Sequence, residues 1–404
     1  MTLTTRLKAH AASLGIDHLA VAPAHVAPGD AALLAALKAD GRYPPFCETD
    51  IARRTDPNAI LPGAKSIVMV ALSYLTDDPA HPPRPDDKPR GWISRYAWGR
   101  DYHHILGAKL DALAAFLAEH APGAQSKPYV DTGPLLERGT AERAGLGWFG
   151  KNGMIYVPGH GSWVFLGAML TTAELDFDPP RRKQCGSCDR CMRACPTGAI
   201  IGPYHVDAGR CLSYITQMPG IIPREFRRPM GRMIWGCDIC QAACPWNWEA
   251  QPTNRPEFRP SERVGARPDL IKLLSITKGE FRAAFGETAM AWRGKKTLQR
   301  NACIALGNIK DPRAVEPLGE RLQQDANAGV RAAAAWALGE IGGERAQAAL
   351  AAAQSEEADD AVRTEIAEAL AVCARRARQA GGGAVSPIGK TNESTTKTTA
   401  KRPK

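Results

Sequence analysis

The sequence predicts a multidomain chain, α/β in its N-terminal part and wholly α-helical near its C-terminal end, with a cysteine-rich domain between. Three observations carry this. Helical and strand-like apolar patterns alternate over residues 1 to about 175, eight of the eleven cysteines lie between Cys185 and Cys244, and one pattern recurs with a period of 32 residues. A length of 404 residues accommodates two to four domains. With 44% hydrophobic and 23% charged residues, each can bury a core, which excludes disorder for the bulk of the chain. No run approaches eighteen apolar residues, and Met1–His10 lacks the apolar stretch of a signal peptide. A soluble, cytoplasmic protein is expected.

In the first domain, residues 1–175, Leu33, Leu34 and Leu37 stand at helical spacing, as do Leu106, Leu110, Leu113 and Phe116. The run Ser66–Leu72 is short, apolar and partly β-branched, and is bounded by Pro62-Gly63 and Asp77-Asp78-Pro79, which predicts a buried strand. Trp163–Leu170 predicts a second. The proline-rich segment between Asp77 and Arg90 is expected to be an exposed loop. Residues 176–250 form the cysteine domain and 251–290 a linker region containing Pro252, Pro256 and Pro260.

From 291 to 378, Leu298–Ile309 aligns with Val330–Ile341, and a third copy runs from Val362 to Leu370. This pattern resembles HEAT-type helix pairs, which stack because one pair cannot bury its own apolar face. Cys303 and Cys373 are expected to pack inside these helices. The remainder, 379–404, is too poor in apolar residues to fold and is expected to be a disordered basic tail. It matters for the charge balance. The chain carries a net +10, of which Lys390–Lys404 contributes five basic residues against one acid, so the folded body holds about +6. That hints at a polyanionic partner without naming one.

The cysteines carry more information. A cytosolic chain keeps its thiols reduced, so their clustering points to metal. Cys185, Cys188, Cys191 and Cys195-Pro196 have the C-x2-C-x2-C-x3-C-P spacing of bacterial ferredoxins, in which three thiolates hold one cluster and the fourth reaches a neighbouring one. Cys237, Cys240 and Cys244-Pro245 match the last three positions of a second such run, with Ile234 where its first cysteine should stand. Cys211 is the nearby cysteine left to replace it. Exchange of fourth ligands then gives Cys185, Cys188, Cys191 and Cys244 on one cluster and Cys195, Cys211, Cys237 and Cys240 on the other. A ferredoxin-like domain with two [4Fe–4S] clusters is the expectation. Paired four-cysteine zinc sites are the alternative chemistry, but seldom carry three cysteines at successive three-residue spacing with a Cys-Pro ending.

Two other motifs carry less. Gly145-Leu146-Gly147-Trp148-Phe149-Gly150 spells G-x-G-x-x-G, yet follows a helical stretch instead of the strand that a dinucleotide site requires. Asp101–Gly107 nearly spells the D-x-H-x-x-G of proteins that ligate cobalt through histidine, with its glycine one residue late.

Over roughly residues 1–378 the chain resembles the epoxyqueuosine reductase family. The stretches that carry this are Leu61–Ser66, Arg95–His103, Val130–Pro134, Gly147–Asn152, Arg210–Tyr214 and Cys240–Asn247. The resemblance implies a cobalamin-binding N-terminal domain and a reaction on the wobble nucleoside of tRNA in queuosine biosynthesis, with an external electron donor. Removing the epoxide oxygen consumes two electrons and two protons and leaves an alkene and water. The same resemblance implies Asp131 as the general acid, its carboxyl kept protonated near neutral pH. It implies corrinoid contacts at Arg54, Tyr96, Asp131, Lys151, Asn152, Ser213 and Tyr214. Trp235, Trp246 and Trp248 are expected to shield the clusters from water, and Arg224, Arg227, Arg228 and Arg232 to meet tRNA phosphates.

The chain departs from the family's usual stretch before the second motif, which here reads Gly231–Cys240 with Trp235 and Ile239, and Gln217 stands where an acid is common. A monomer is expected. Two competing readings are a dicluster ferredoxin-type electron carrier and a cobalamin-dependent reductive dehalogenase-like enzyme. The large N-terminal domain with its Asp131 segment argues against the first. The repeats and the absence of a twin-arginine signal argue against the second.

Overall fold

The computed structural model describes residues 1–77 and 88–381. Most of the expected Asp77–Arg90 loop, and the tail from 382 onward, lie outside the described residues. In chain order the N-terminal part contains α1 (Leu3–Ser13), β1 (His18–Pro23), α2 (Asp30–Ala39), β2 (Ser66–Ser73), α3 (Tyr102–His120), β3 (Ser126–Tyr129), α4 (Glu137–Arg143) and β4 (Val164–Thr171). The four strands form one sheet in the order β1-β2-β4-β3. Every pairing is antiparallel, with Val21 opposite Val68, Val70 opposite Gly167 and Met169 opposite Pro128. The apolar runs revealed β2 and β4, but not β1, β3 or the direction of the pairings.

All eight residues of β2 are buried, because helices cover both of its faces. Side chains alternate across a strand. Val68, Val70 and Leu72 therefore join Leu7 of α1 and Leu106, Leu110, Leu113 and Leu117 of α3 in one core. Ile67, Met69 and Ala71 join Ala141, Ala144 and Leu146 around α4 in another. This sandwich places the first turn of α3, the turn after β3 and the first turn of α4 together at one end of the sheet.

The cysteine motifs form two short helices, α5 (Arg190–Ala194) and α6 (Ile239–Ala242). Residues 251–290, expected as a linker, are instead packed. They form α7 (Leu270–Ser275) and α8 (Lys278–Phe285) and bury Phe258, Leu270, Leu274 and Phe285. The prolines confine themselves to the stretch before these helices, where no backbone donor is needed.

The repeats form α9 (Gly294–Ile309), α10 (Val315–Gln324), α11 (Ala328–Ile341), α12 (Glu344–Gln354) and α13 (Asp360–Gly381). Equivalent glycines let the first helices of successive pairs stack closely. A Cβ on Gly307 would come within 2.8 Å of the Ala337 backbone, and one on Gly339 within 2.9 Å of that of Ala369. Cys303 and Cys373 are buried in this core. Among the described residues no helix is long and apolar enough to cross a membrane.

The first repeat helix plugs into the cysteine domain through polar side chains. Arg300 donates to the carbonyls of Met218 and Gly220 at 2.6 and 2.8 Å, and Asn301 to those of Thr216 and Ile234 at 2.6 and 2.8 Å. Asn308 does the same for Arg227 and Gly231. Three arginines expected to face RNA are held by carboxylates of the repeats. Arg227, only 1% exposed, donates to both oxygens of Glu365 at 2.9 and 2.6 Å. Arg224 shares Glu365 and reaches Glu368, and Arg228 pairs with Glu340 at 2.9 Å. Each faces an acid more than a hundred residues away in sequence, and Glu365 and Glu368 offset the charge of Arg224 and Arg227, whereas the Arg228 side chain stays 71% exposed. Arg232 stays exposed.

Removing one member of a buried ion pair strands the other. Glu365→Ala should therefore cost about 3–5 kcal/mol, read as a lowered denaturation midpoint. Glu368→Ala, at an exposed partner, should cost under about 1 kcal/mol.

Candidate functional site

Two groups of cysteines meet where α5 packs against α6. Cys185, Cys188, Cys191 and Cys244 surround a cavity of about 240 Å³, which Asn152, Tyr156 and Trp246 also line. Cys195, Cys211, Cys237 and Cys240 interact with one another electrostatically and form the second group. The fourth thiol of each run thus stands with the other run, and Cys211 takes the place that Ile234 leaves vacant. Ile234 is fully buried and offers its carbonyl to Asn301.

The donor set suits iron–sulfur clusters. The thiols of the first group ring a space instead of converging on one ion. Backbone N–H groups point at the sulfurs, from Lys151 to Cys185 at 3.4 Å and from Ala199 to Cys195 at 3.3 Å, the kind of contact that tunes cluster potential. Burial pushes the Cys237 thiol up to about 12, so a positively charged core is needed to hold it as thiolate.

The second constellation forms at the end of the sheet. Asp131 adopts a left-handed backbone conformation, φ 57°, in the turn after β3. Asp tolerates this better than most residues. Gly133 completes the turn, since a Cβ there would press within 2.5 Å of the Tyr129 ring. The turn leaves the Asp131 side chain 64% exposed. Tyr102, at the start of α3, donates its hydroxyl to Asp131 Oδ2 at 2.8 Å, and His103 Nε2 lies 3.7 Å from the same oxygen. Asp101 caps α3 and also holds His103 Nδ1 at 2.6 Å. The near-match to a cobalt-ligating motif is therefore a helix cap that aims a histidine at Asp131. Glu137, in the first turn of α4, accepts the Asp131 backbone N–H at 2.8 Å.

This arrangement redistributes the protons. The His103 ring, then the Tyr102 hydroxyl, holds the Asp131 carboxyl below its ordinary value. Burial opposes charge on His103, but Asp101 and Asp131 outweigh it and lift the ring to about 9. Burial, then the Asp131 carboxylate, pushes the Glu137 carboxyl up to about 8. The neutral carboxyl that the resemblance implies at Asp131 is not the form these neighbours favour. Near neutral pH the protons sit on His103 and Glu137, and Asp131 is the carboxylate between them. Sequence reading missed Glu137 and assigned His103 no role. The signals were faint: a carboxyl six residues after Asp131, and a Tyr-His pair directly after a capping Asp.

The remaining predicted residues fall around these two centres. Arg54 Nε and Nη1 are buried without a hydrogen-bond partner among the described residues, as is His103 Nε2. Arg54 also acts electrostatically on Glu137. Tyr96 receives hydrogen bonds on its hydroxyl from Trp235 at 2.8 Å and Gln217 at 3.2 Å, so both departures from the family pattern support this ring. Ser213 and Tyr214 follow Cys211, and their backbone N–H groups favour its thiolate. Lys151 and Asn152 belong to the first cysteine group. Lys151 Nζ donates to the carbonyls of Gly186 and Cys188 at 2.7 and 2.9 Å, and Asn152 to the Tyr156 hydroxyl at 3.1 Å. Of the tryptophans, Trp235 is buried, but Trp246 and Trp248 are 40% and 62% exposed, so the last two are not a dry shield. The Gly145–Gly150 run follows helix α4 and contains a short strand, Trp148–Phe149, so it lacks the strand-then-helix order of a dinucleotide turn.

Comparison with known proteins agrees with this layout. A family model described as epoxyqueuosine reductase QueG, DUF1730, matches residues 54–132. A 4Fe–4S double cluster binding domain matches 184–247, and HEAT repeats match 293–371. The chain is 40% identical over 340 residues to the epoxyqueuosine reductase of Bacillus subtilis strain 168, covering 84% of this chain and 88% of that one. It is 37% identical over 337 residues to that of Staphylococcus aureus, covering 83% and 88%. It is similar to a crystal structure of epoxyqueuosine reductase with an epoxyqueuosine-modified tRNA-Tyr stem loop, with a TM-score of 0.88 at 38% identity, covering 92% of this chain and 99% of that one. The structure from Streptococcus thermophilus gives a TM-score of 0.85 at 34% identity, covering 93% and 100%.

A test of the ligand exchange is iron content. Cys211→Ser should lower reconstituted iron from about eight toward about four per chain, whereas Cys303→Ser leaves it unchanged.

Proposed function

The chain belongs to the epoxyqueuosine reductase family, and we propose that it reduces the epoxide of epoxyqueuosine at the wobble position of tRNA to the alkene of queuosine. A tRNA substrate would place the reaction in the cytoplasm. The observation that carries the mechanism is the Asp131 triangle, in which two proton-bearing groups flank an exposed carboxylate beside a cluster-binding domain.

The residues at the cleft suit a corrinoid as cofactor. Arg54 presents buried, unpartnered nitrogens, which fit the polar rim of such a group. Tyr96, Ser213 and Tyr214 would line its other side, between the cleft and Cys211. Lys151 and Asn152 would act through the first cysteine group. When bound, reduced cobalamin would supply a strong nucleophile or electron donor toward the strained epoxide, and two [4Fe–4S] clusters would supply single electrons.

The protein's own task is the oxygen. As the C–O bond breaks, the departing oxygen gains charge and must take a proton, and its loss as water requires a second. Asp131, exposed at the tip of its turn, would receive a proton from His103 at 3.7 Å and pass it to that oxygen as the first. Tyr102 would orient the carboxylate through its 2.8 Å bond. Glu137, protonated to about 8 and bonded to the Asp131 backbone, would fix the turn and hold the second proton in reserve. Asp131 thus works as a relay.

Asp131→Asn should lower turnover of epoxyqueuosine-containing stem loop by about 10²-fold or more, with clusters and bound cobalamin retained. Full turnover in that variant would refute the assignment. Because His103 is lifted to about 9, its proton is present below that pH and lost above it. Wild-type turnover should therefore fall as pH rises through 8 to 9, and His103→Gln should be slower at pH 7 with that alkaline fall reduced.

A further inference from the structure

Electrons must enter this protein from outside, and the two cysteine groups are not equivalent in how they face the surroundings. The second group lies toward the cleft: Trp235, two residues before Cys237, donates to the Tyr96 hydroxyl at 2.8 Å, and the Tyr96 ring lies 6.4 Å from that of Tyr102, which bonds Asp131. The first is the outer one. Cys188 is exposed, along with Gly186, Ser187, Asp189 and Arg190 around it. Lys151 fixes this loop through the Gly186 and Cys188 carbonyls.

A charged aromatic collar surrounds that loop. Lys183 sits over the Trp246 ring at 4.5 Å, and Arg190 over the Trp248 ring at 5.1 Å. Both cations are exposed, and Trp248 is the most exposed tryptophan of the described residues. Between 181 and 193 there are five cations and one acid, Asp189, which pairs with Arg193 at 3.0 Å. Glu249 adds one further acid beside Trp248. These arginines and lysines contrast with Arg224 and Arg227, whose charge Glu365 and Glu368 offset. A cation held over an exposed ring keeps its charge while covering apolar surface, as the centre of a transient interface requires.

We propose that this collar is the docking face for a small acidic one-electron carrier protein, which reduces the cluster of the first cysteine group. The inference rests on the functional reading above. Each encounter moves one electron from carrier to cluster and oxidises the carrier by one. Two encounters and two protons convert one epoxide to alkene and water. Charge complementarity favours an acidic carrier and makes encounter fast and salt-dependent. An RNA would also meet cations. The collar, however, surrounds the outer cysteine group, and the RNA must reach Asp131 beside the inner one.

The test uses holoprotein whose iron content is measured first. Absent clusters would refute the functional reading, whereas intact clusters let the docking face be judged alone. Reduced flavodoxin is the probe, and cluster bleaching is followed by stopped flow. In wild type the rate should fall steeply with ionic strength. Lys183→Glu with Arg190→Glu should slow it by about tenfold or more and flatten the salt dependence. Reduction by dithionite and binding of the fluorescent stem loop should be unchanged. Trp248→Ala serves as the milder second variant and should slow the flavodoxin step alone. Salt-independent reduction of wild type, or equal flavodoxin rates in wild type and both variants, would overturn the proposal. So would loss of stem-loop binding with flavodoxin reduction intact, which would make the collar an RNA surface.

Discussion

The exchange of thiols between two cysteine runs is the constraint on which the rest of the molecule turns. Cys244 stands with the first run, while Cys195 stands with the second, so α5 and α6 cannot separate without opening both groups. Everything attached to those runs inherits the fixed geometry. Lys151 and Asn152 brace the first group from the N-terminal part. Ser213 and Tyr214 brace the second, and the loop from Thr216 to Ile234 carries the repeats through Arg300 and Asn301.

At the other centre, position controls proton ownership. A carboxylate alone on an exposed turn would titrate as any surface acid does. Here Tyr102 and His103, set by the first turn of α3, make its anionic form the favoured one. The buried Glu137 takes the opposite role, because water is excluded from it. Two carboxyls six residues apart are thereby driven to opposite protonation states, and a histidine between a cap and a turn holds the mobile proton. Such divergence is how a site keeps both acid and base available at one pH.

Much of this was legible in the sequence, for stated reasons. The β2 run and the α3 heptad-like leucines read clearly because burial on two faces demands unbroken apolar character. The grouping of the cysteines followed from spacing, and the place of Cys211 from its being left over. The direction of the strands did not follow, since residue types do not encode which neighbour a strand pairs with. Residues 251–290 were misread because prolines at their start masked short apolar helices. Arg224, Arg227 and Arg228 resembled a phosphate-binding patch, because a linear sequence does not reveal that Glu365 returns to Arg224 and Arg227, and Glu340 to Arg228, more than a hundred residues later. His103 and Glu137 depend on the positive φ of Asp131, which no pattern of residue types discloses.

The buried Arg227–Glu365 pair has a consequence for the angle between the repeats and the cluster domain. Together with the Arg300 and Asn301 plugs, it denies the repeats a hinge, so they hold one angle to the cluster domain. A nucleic acid touching both would meet a rigid caliper, its jaws set before any ligand arrives.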